Sequence, residues 1–226
     1  MLAIKKNLKK YLMSFIDDFK IDDRGAFVLP FELRLKDQEF LKYCHLDVDW
    51  NIPSISSEDL PDEFSQKAVK LVDMFRRKTV NLSYECMLFF DYKTGEIIYC
   101  FVKDNLGMFI FDEIYESHFE GMNVASIHNH PKGFLSAPSS NNFQILEIEN
   151  EDYELICGHD EFWILEAKGV FDKEIVEEIR NEARNLYRDS SAYNNDIISI
   201  IYGNALLKYI NNKNKDNINL TTVRYH

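Results

Sequence analysis

The spacing of apolar positions changes several times along the chain, and each change marks an element. Leu2, Ile4, Leu8, Leu12 and Phe15 recur at helical spacing, which predicts a helix over 2–19. "GAFVLPFELRL" (25–35) reads as extended, broken by Pro30, and "VDWNIPSISSEDLP" (48–61) as loop. From Pro61 the period returns to about 3.6. Phe64, Ala68, Leu71, Val72 and Phe75 predict a helix over 61–76, with Asp62 and Glu63 in its first turn.

Two strands follow, "YECMLFFDY" (84–92) and "EIIYCFVK" (96–103), joined by a Lys-Thr-Gly turn. A short helix is predicted over 111–121, ending at Gly121, and then a strand in "NVASIHNHP" (123–131). "SSNNFQILEI" (139–148) predicts a helix with Ser139 as its N-cap. "YELICGHDEFWILEAKG" (153–169) is a second hairpin turning near Gly158. Asp172 caps a helix carrying Ile175, Val176, Ile179, Ala183 and Leu186, and a last helix is expected over 193–210. "NNKNKDN" (211–217) is polar and low in complexity, which predicts a flexible tail. The fold class is therefore α/β: a mixed centre over 81–170, an N-terminal extension over 1–80, and C-terminal helices and tail over 171–226.

Composition narrows the function. Hydrophobic residues make up 46% of the 226, enough for a packed core. The formal charge of -12 opposes binding to phosphate backbones, because no strong basic patch offsets it. Lys5, Lys6, Lys9 and Lys10 fit the solvated face of a helix. Cys44, Cys86, Cys100 and Cys157 form no C-x-x-C pair and read as reduced core thiols. No signal-type or membrane-length apolar run is present, so the expectation is a soluble, cytoplasmic protein without membrane or nucleic-acid partners.

One segment carries chemistry. In "SIHNHPKGFLSAPSSNNF" (127–144), His128 and His130 are two apart on an expected strand, so both imidazoles face one way. Two imidazoles suit Zn²⁺, which in catalytic sites takes a third protein ligand and a water. That ligand would come from the Ser/Asn segment that follows. Cys157 and His159 sit at a hairpin turn and read as a core thiol and an exposed ring, not as a nucleophile and its base.

The pattern "HNHP…PSxxN" resembles the JAMM signature of MPN-type (JAB) metalloprotease domains, E…H-x-H-(seven residues)-S-x-x-D. "YECMLFFDYKTGEIIYC" is similar to the family's glutamate strand, and the resemblance spans roughly 82–168. It implies a curved mixed β-sheet flanked by helices. It implies His128 and His130 as zinc ligands, Glu85 as the general base on a metal-bound water, and Ser139 as an oxyanion donor. The implied activity is hydrolysis of a peptide or isopeptide bond in a protein or peptide substrate such as a ubiquitin-like conjugate. Zinc would lower the pKa of its water to about 7, and a carboxylate would pass the proton to the leaving amine.

The sequence departs from that signature in two ways. Eight residues, not seven, separate His130 from Ser139, and the position of the ligand aspartate is Asn142. No Asp or Glu lies between Glu120 and Glu147, and Glu147 would fall on another helix face. Asn142 could still ligate through its amide oxygen, as a neutral and weaker donor. Two functions therefore stand side by side: a JAMM-like zinc peptidase or isopeptidase, and an inactive MPN-like scaffold that binds a protein partner. RadC-like JAB domains also carry "HNHP", but the acidity of the chain opposes a nucleic-acid role.

Overall fold

A computed structural model describes residues 43, 45–102, 122–140, 142–145, 151–168, 173–190, 195–213 and 218–225. The helices expected over 2–19 and 111–121, the extended segment 25–35, Cys44 and Glu147 lie outside these residues. In chain order the elements are a 3-10 turn (Ser57–Asp59), α1 (Gln66–Thr79), β1 (Cys86–Asp91), β2 (Glu96–Val102), β3 (Val124–Asn129), α2 (Asn142–Ile145), β4 (Glu151–Cys157), β5 (Glu161–Ala167), α3 (Lys173–Ser190), α4 (Asn195–Lys213) and β6 (Ile218–Arg224).

The helix expected from Pro61 starts five residues later. The Pro61 carbonyl accepts from the Phe64 N–H in a turn, and the Ser65 hydroxyl then accepts from the Ala68 N–H as N-cap. This turn leaves Phe64 free to stack on Tyr92, ring centroids 5.2 Å apart, instead of lying on the helix face. Arg76, Arg77 and Lys78 fall in the last turn, where cations favour the helix dipole.

The strands form one mixed six-stranded sheet in the order β2-β1-β3-β4-β5-β6. All neighbours are antiparallel except β3 and β4, which run parallel. Parallel strands need a crossover, and here it is the segment 130–150 that carries the motif. Strands β1 and β3 are buried along their whole length, which explains the unbroken apolar run in β1.

Each face of the sheet has its own core. On one, Leu88, Phe90, Ile127, Leu155 and Phe162 pack with Ala68, Leu71, Val72 and Phe75 of α1. On the other, Ile156, Trp163, Leu165 and Leu220 pack with Ile179 and Ala183 of α3 and Tyr202, Leu206 and Ile210 of α4. A Cβ at Gly203 would stand 2.8 Å from the Trp163 ring, so the glycine is what lets α4 lie this close to the sheet.

The expected tail is not a tail at its end. Helix α4 runs to Lys213, and 218–224 adds a strand paired with β5 from Glu161↔Arg224 to Ala167↔Ile218. The sheet therefore extends beyond 81–170. The sequence "INLTT" alternates, placing Ile218 and Leu220 inward. Leu220→Ala should cost about 2–5 kcal/mol, as for a core leucine, when measured by urea unfolding. A value within about 0.5 kcal/mol of wild type would mean that the strand is not part of the core.

Candidate metal centre

The motif lies on the α3/α4 face of the sheet, at the C-terminal end of β3. His128 is within the strand, but β3 ends at Asn129, so His130 stands one residue beyond it, in the crossover. Its backbone N–H still donates to the Cys157 carbonyl, which keeps it alongside β4. The two rings have centroids 5.1 Å apart and are tilted by 52°.

Between them, Asn129 faces the other way and is fully buried. Its Oδ1 accepts from the Cys86 N–H at 2.7 Å, and its Nδ2 donates to the Tyr84 carbonyl at 3.0 Å. Those two bonds bracket Glu85, which is half-buried just ahead of β1. Met87 pairs with His128. The pairing of β1 with β3 stops there, one residue short of Cys86 and two short of Glu85, so Glu85 lies just beyond the ladder that carries His128.

Asn142 opens α2 and is buried. Its Oδ1 accepts from the Ser139 backbone N–H at 2.6 Å and from the Ser139 hydroxyl at 2.8 Å. The side chain thus reaches back three residues along the chain onto Ser139. The amide nitrogen therefore points into the site. Nδ2 lies 3.0 Å from His128 Nε2 and 3.2 Å from Glu154 Oε1. An amide nitrogen only donates, so Nε2 accepts and His128 carries its ring proton on Nδ1. His130 Nδ1 donates to the Leu135 carbonyl at 2.6 Å, so its Nε2 is also the acceptor nitrogen. Turning the Asn142 amide over would set its N–H groups against the Ser139 donors and its oxygen against the two acceptors.

Glu154 is the residue that linear reading missed. A search for a carboxylate confined to the crossover finds none, but the parallel pairing Ser126↔Glu154 brings one from β4. Its Oε1 is 3.4 Å from His128 Nδ1, within ion-pair range but not aligned as a hydrogen bond. The signal was available: a lone carboxylate in "YELIC", in step with inward-facing Ile156.

Does this arrangement fit zinc? Among the described residues no three His, Cys, Asp or Glu side chains group to hold a metal. The neutral donor expected at position 142 presents N–H groups, not its oxygen, to the imidazole, and an N–H repels a cation. With the amide turned this way, Asn142 offers the histidines no third ligand oxygen. Cys157 is buried and its thiol is pushed up by burial, while His159 is exposed and bonded to Asp160. No helix among the described residues is long and apolar enough to cross a membrane. Comparison with protein-family models, with curated proteins and with solved structures gives no match.

Burial disfavours charge throughout the site. Burial, and then the neighbouring His130, hold His128 well below 6.5. Burial takes His130 down to about 4, against the opposing pull of Leu135 and Asn142. Burial, and then Glu151, push Glu154 well above 4.5, and burial pushes Glu151 up to about 8. The signs differ. The histidines contribute stability that is present above about pH 6.5 and lost as pH falls through the folded value. Both carboxyls contribute stability that is present below about pH 4.5 and lost as pH rises, for Glu151 through about 8. From pH 6.5 to 8 only the carboxylates act, so Tm should fall over that interval, and Glu151→Gln should reduce the fall. A Tm that rises from pH 6.5 to 8 would contradict this charge assignment.

Proposed function

We propose that the chain is an MPN-type scaffold that has given up hydrolysis and works by binding a protein partner. The observation that carries the reading is the Asn142 amide nitrogen, which donates to His128 Nε2 where a ligand-bearing site would need an acceptor. A hydrogen-bonded amide satisfies His128 Nε2 and Glu154 Oε1 without a metal, so the fold keeps the site's shape without its chemistry. Exposed Trp50, Phe134 and Tyr187 support the partner half of the proposal, since large aromatics are the side chains that anchor protein interfaces. Partner binding should weaken in Trp50→Ala or Phe134→Ala and be unchanged in His128→Ala or Glu85→Gln, read as recovery of a co-purifying protein. The reverse pattern would contradict the proposal.

A zinc peptidase or isopeptidase remains the second reading, because Glu85 lies just ahead of the strand paired with His128 and both Nε2 atoms are acceptors. Metal analysis separates the two. Wild type should purify without zinc and leave ubiquitin-like fusions intact. Asn142→Asp replaces the donor with a carboxylate at nearly the same size, and should raise zinc affinity by at least about tenfold. His128→Ala should abolish uptake in the Asn142→Asp background. Wild type holding one zinc, with cleavage that depends on Glu85, would establish the hydrolase instead.

A further inference from the structure

Below the histidines, on the same face, lies a second group of polar atoms that the Asn142 network does not satisfy. Both carboxylate oxygens of Glu151, Oε2 of Glu154, the Ser126 hydroxyl and His128 Nδ1 are buried and lack a well-formed hydrogen bond, although Ser126 stands close enough to Glu151 to favour its charged form. All four residues are at most 4% exposed. A buried polar atom without a partner costs about 1–3 kcal/mol, and native proteins fill such places with water or an ion.

Backbone irregularity builds this group. Residues 151 and 154 are three apart, and a regular strand would put them on opposite faces. The pairing of β3 with β4 slips between Val124 and Ala125, where Glu151 pairs with Val124 but Tyr153 with Ala125. Asp152 is thus the extra residue of a bulge, and the bulge turns Glu151 onto the face of Glu154. Bulges are used in this way to re-aim a side chain. Tyr92 Oη donates to the Asp152 carboxylate at 3.0 Å and holds the bulge from the other face. Ser126, in register with Glu154, lies next to Glu151, and the two glutamates repel each other.

We propose that Glu151, Glu154 and Ser126 form a binding site for one hard divalent cation, of the Mg²⁺, Mn²⁺ or Ca²⁺ class. The donor set is all oxygen, with two carboxylates and a hydroxyl. It contains neither the thiolates nor the cluster of imidazoles that select zinc. Hard cations accept one or two carboxylates and complete their shell with water, so they do not need three chelating side chains. A cation there neutralises two carboxylates that otherwise face each other in a buried site. The site stands independently of the partner-binding reading and of the zinc reading, because it uses neither Asn142 nor His130.

Mn²⁺ is the probe. Titrating the full chain with Mn²⁺ and following the loss of the free-ion paramagnetic resonance signal should give about one bound ion per chain, displaced by Ca²⁺ or Mg²⁺. Glu151→Gln keeps size and removes charge, and should weaken binding by at least about tenfold; Ser126→Ala should weaken it less, and His130→Ala not at all. Circular dichroism on each variant separates lost binding from lost fold, and Ser126→Ala carries the test if Glu151→Gln does not fold. No Mn²⁺ uptake by folded wild type would overturn the proposal, leaving protonated carboxyls and buried water. So would uptake unchanged in Glu151→Gln, or uptake lost in His130→Ala, which would return the ion to the histidine pair.

Discussion

The site turns on the orientation of one side-chain amide. Ser139 offers two donors to Asn142, its backbone N–H and its hydroxyl, and the amide oxygen answers both. Everything on the other side of the amide is then fixed as a donor's environment: His128 Nε2, and Glu154 Oε1. An aspartate in the same place would use one oxygen for Ser139 and leave the other as an anionic acceptor. Asparagine rather than aspartate at this position is therefore not a mere dilution of ligand strength. It reverses the polarity of the atom that faces the imidazole.

Charge on this face of the sheet is redistributed accordingly. The described part of the crossover that carries both histidines has no acidic side chain, while β4 brings two carboxyls, one of them swung into place by a bulge at Asp152. Low dielectric makes either arrangement expensive unless it is internally matched. At the histidine end matching is by hydrogen bonds between neutral groups. At the glutamate end the protein itself supplies few donors, and the demand for positive charge stays open.

Much of this was legible in the sequence, and the misses share a cause. The periodicities of β1, β2, β4 and β5, and the buried face of α1, follow from local pattern, because each buries one continuous run or stripe. The juxtaposition of His128 and His130 also follows from spacing, even though His130 lies just outside its strand. Three features did not follow. Phe64 left the helix because a tertiary stack on Tyr92 outweighed its place in the 3.6 pattern. Strand β6 was hidden behind a polar linker that looked like a terminus. Glu154 and Glu151 come to the site through a parallel pairing and a slipped register, and neither is visible to a search along the chain. Asn142 was identified from the motif, but which end of its amide would face the histidines depended on Ser139 and could not be read from composition.

The most direct measurement is the state of the His128 ring, read from its two nitrogen-15 shifts in full-length protein near neutral pH, with and without one equivalent of zinc. A neutral ring protonated on Nδ1, with Nε2 accepting a hydrogen bond and both shifts unmoved by zinc, is the predicted result. A ring protonated on Nε2 would contradict the amide orientation. An Nε2 resonance that moves to a metal-bound position on adding zinc would contradict the claim that Asn142 closes the site.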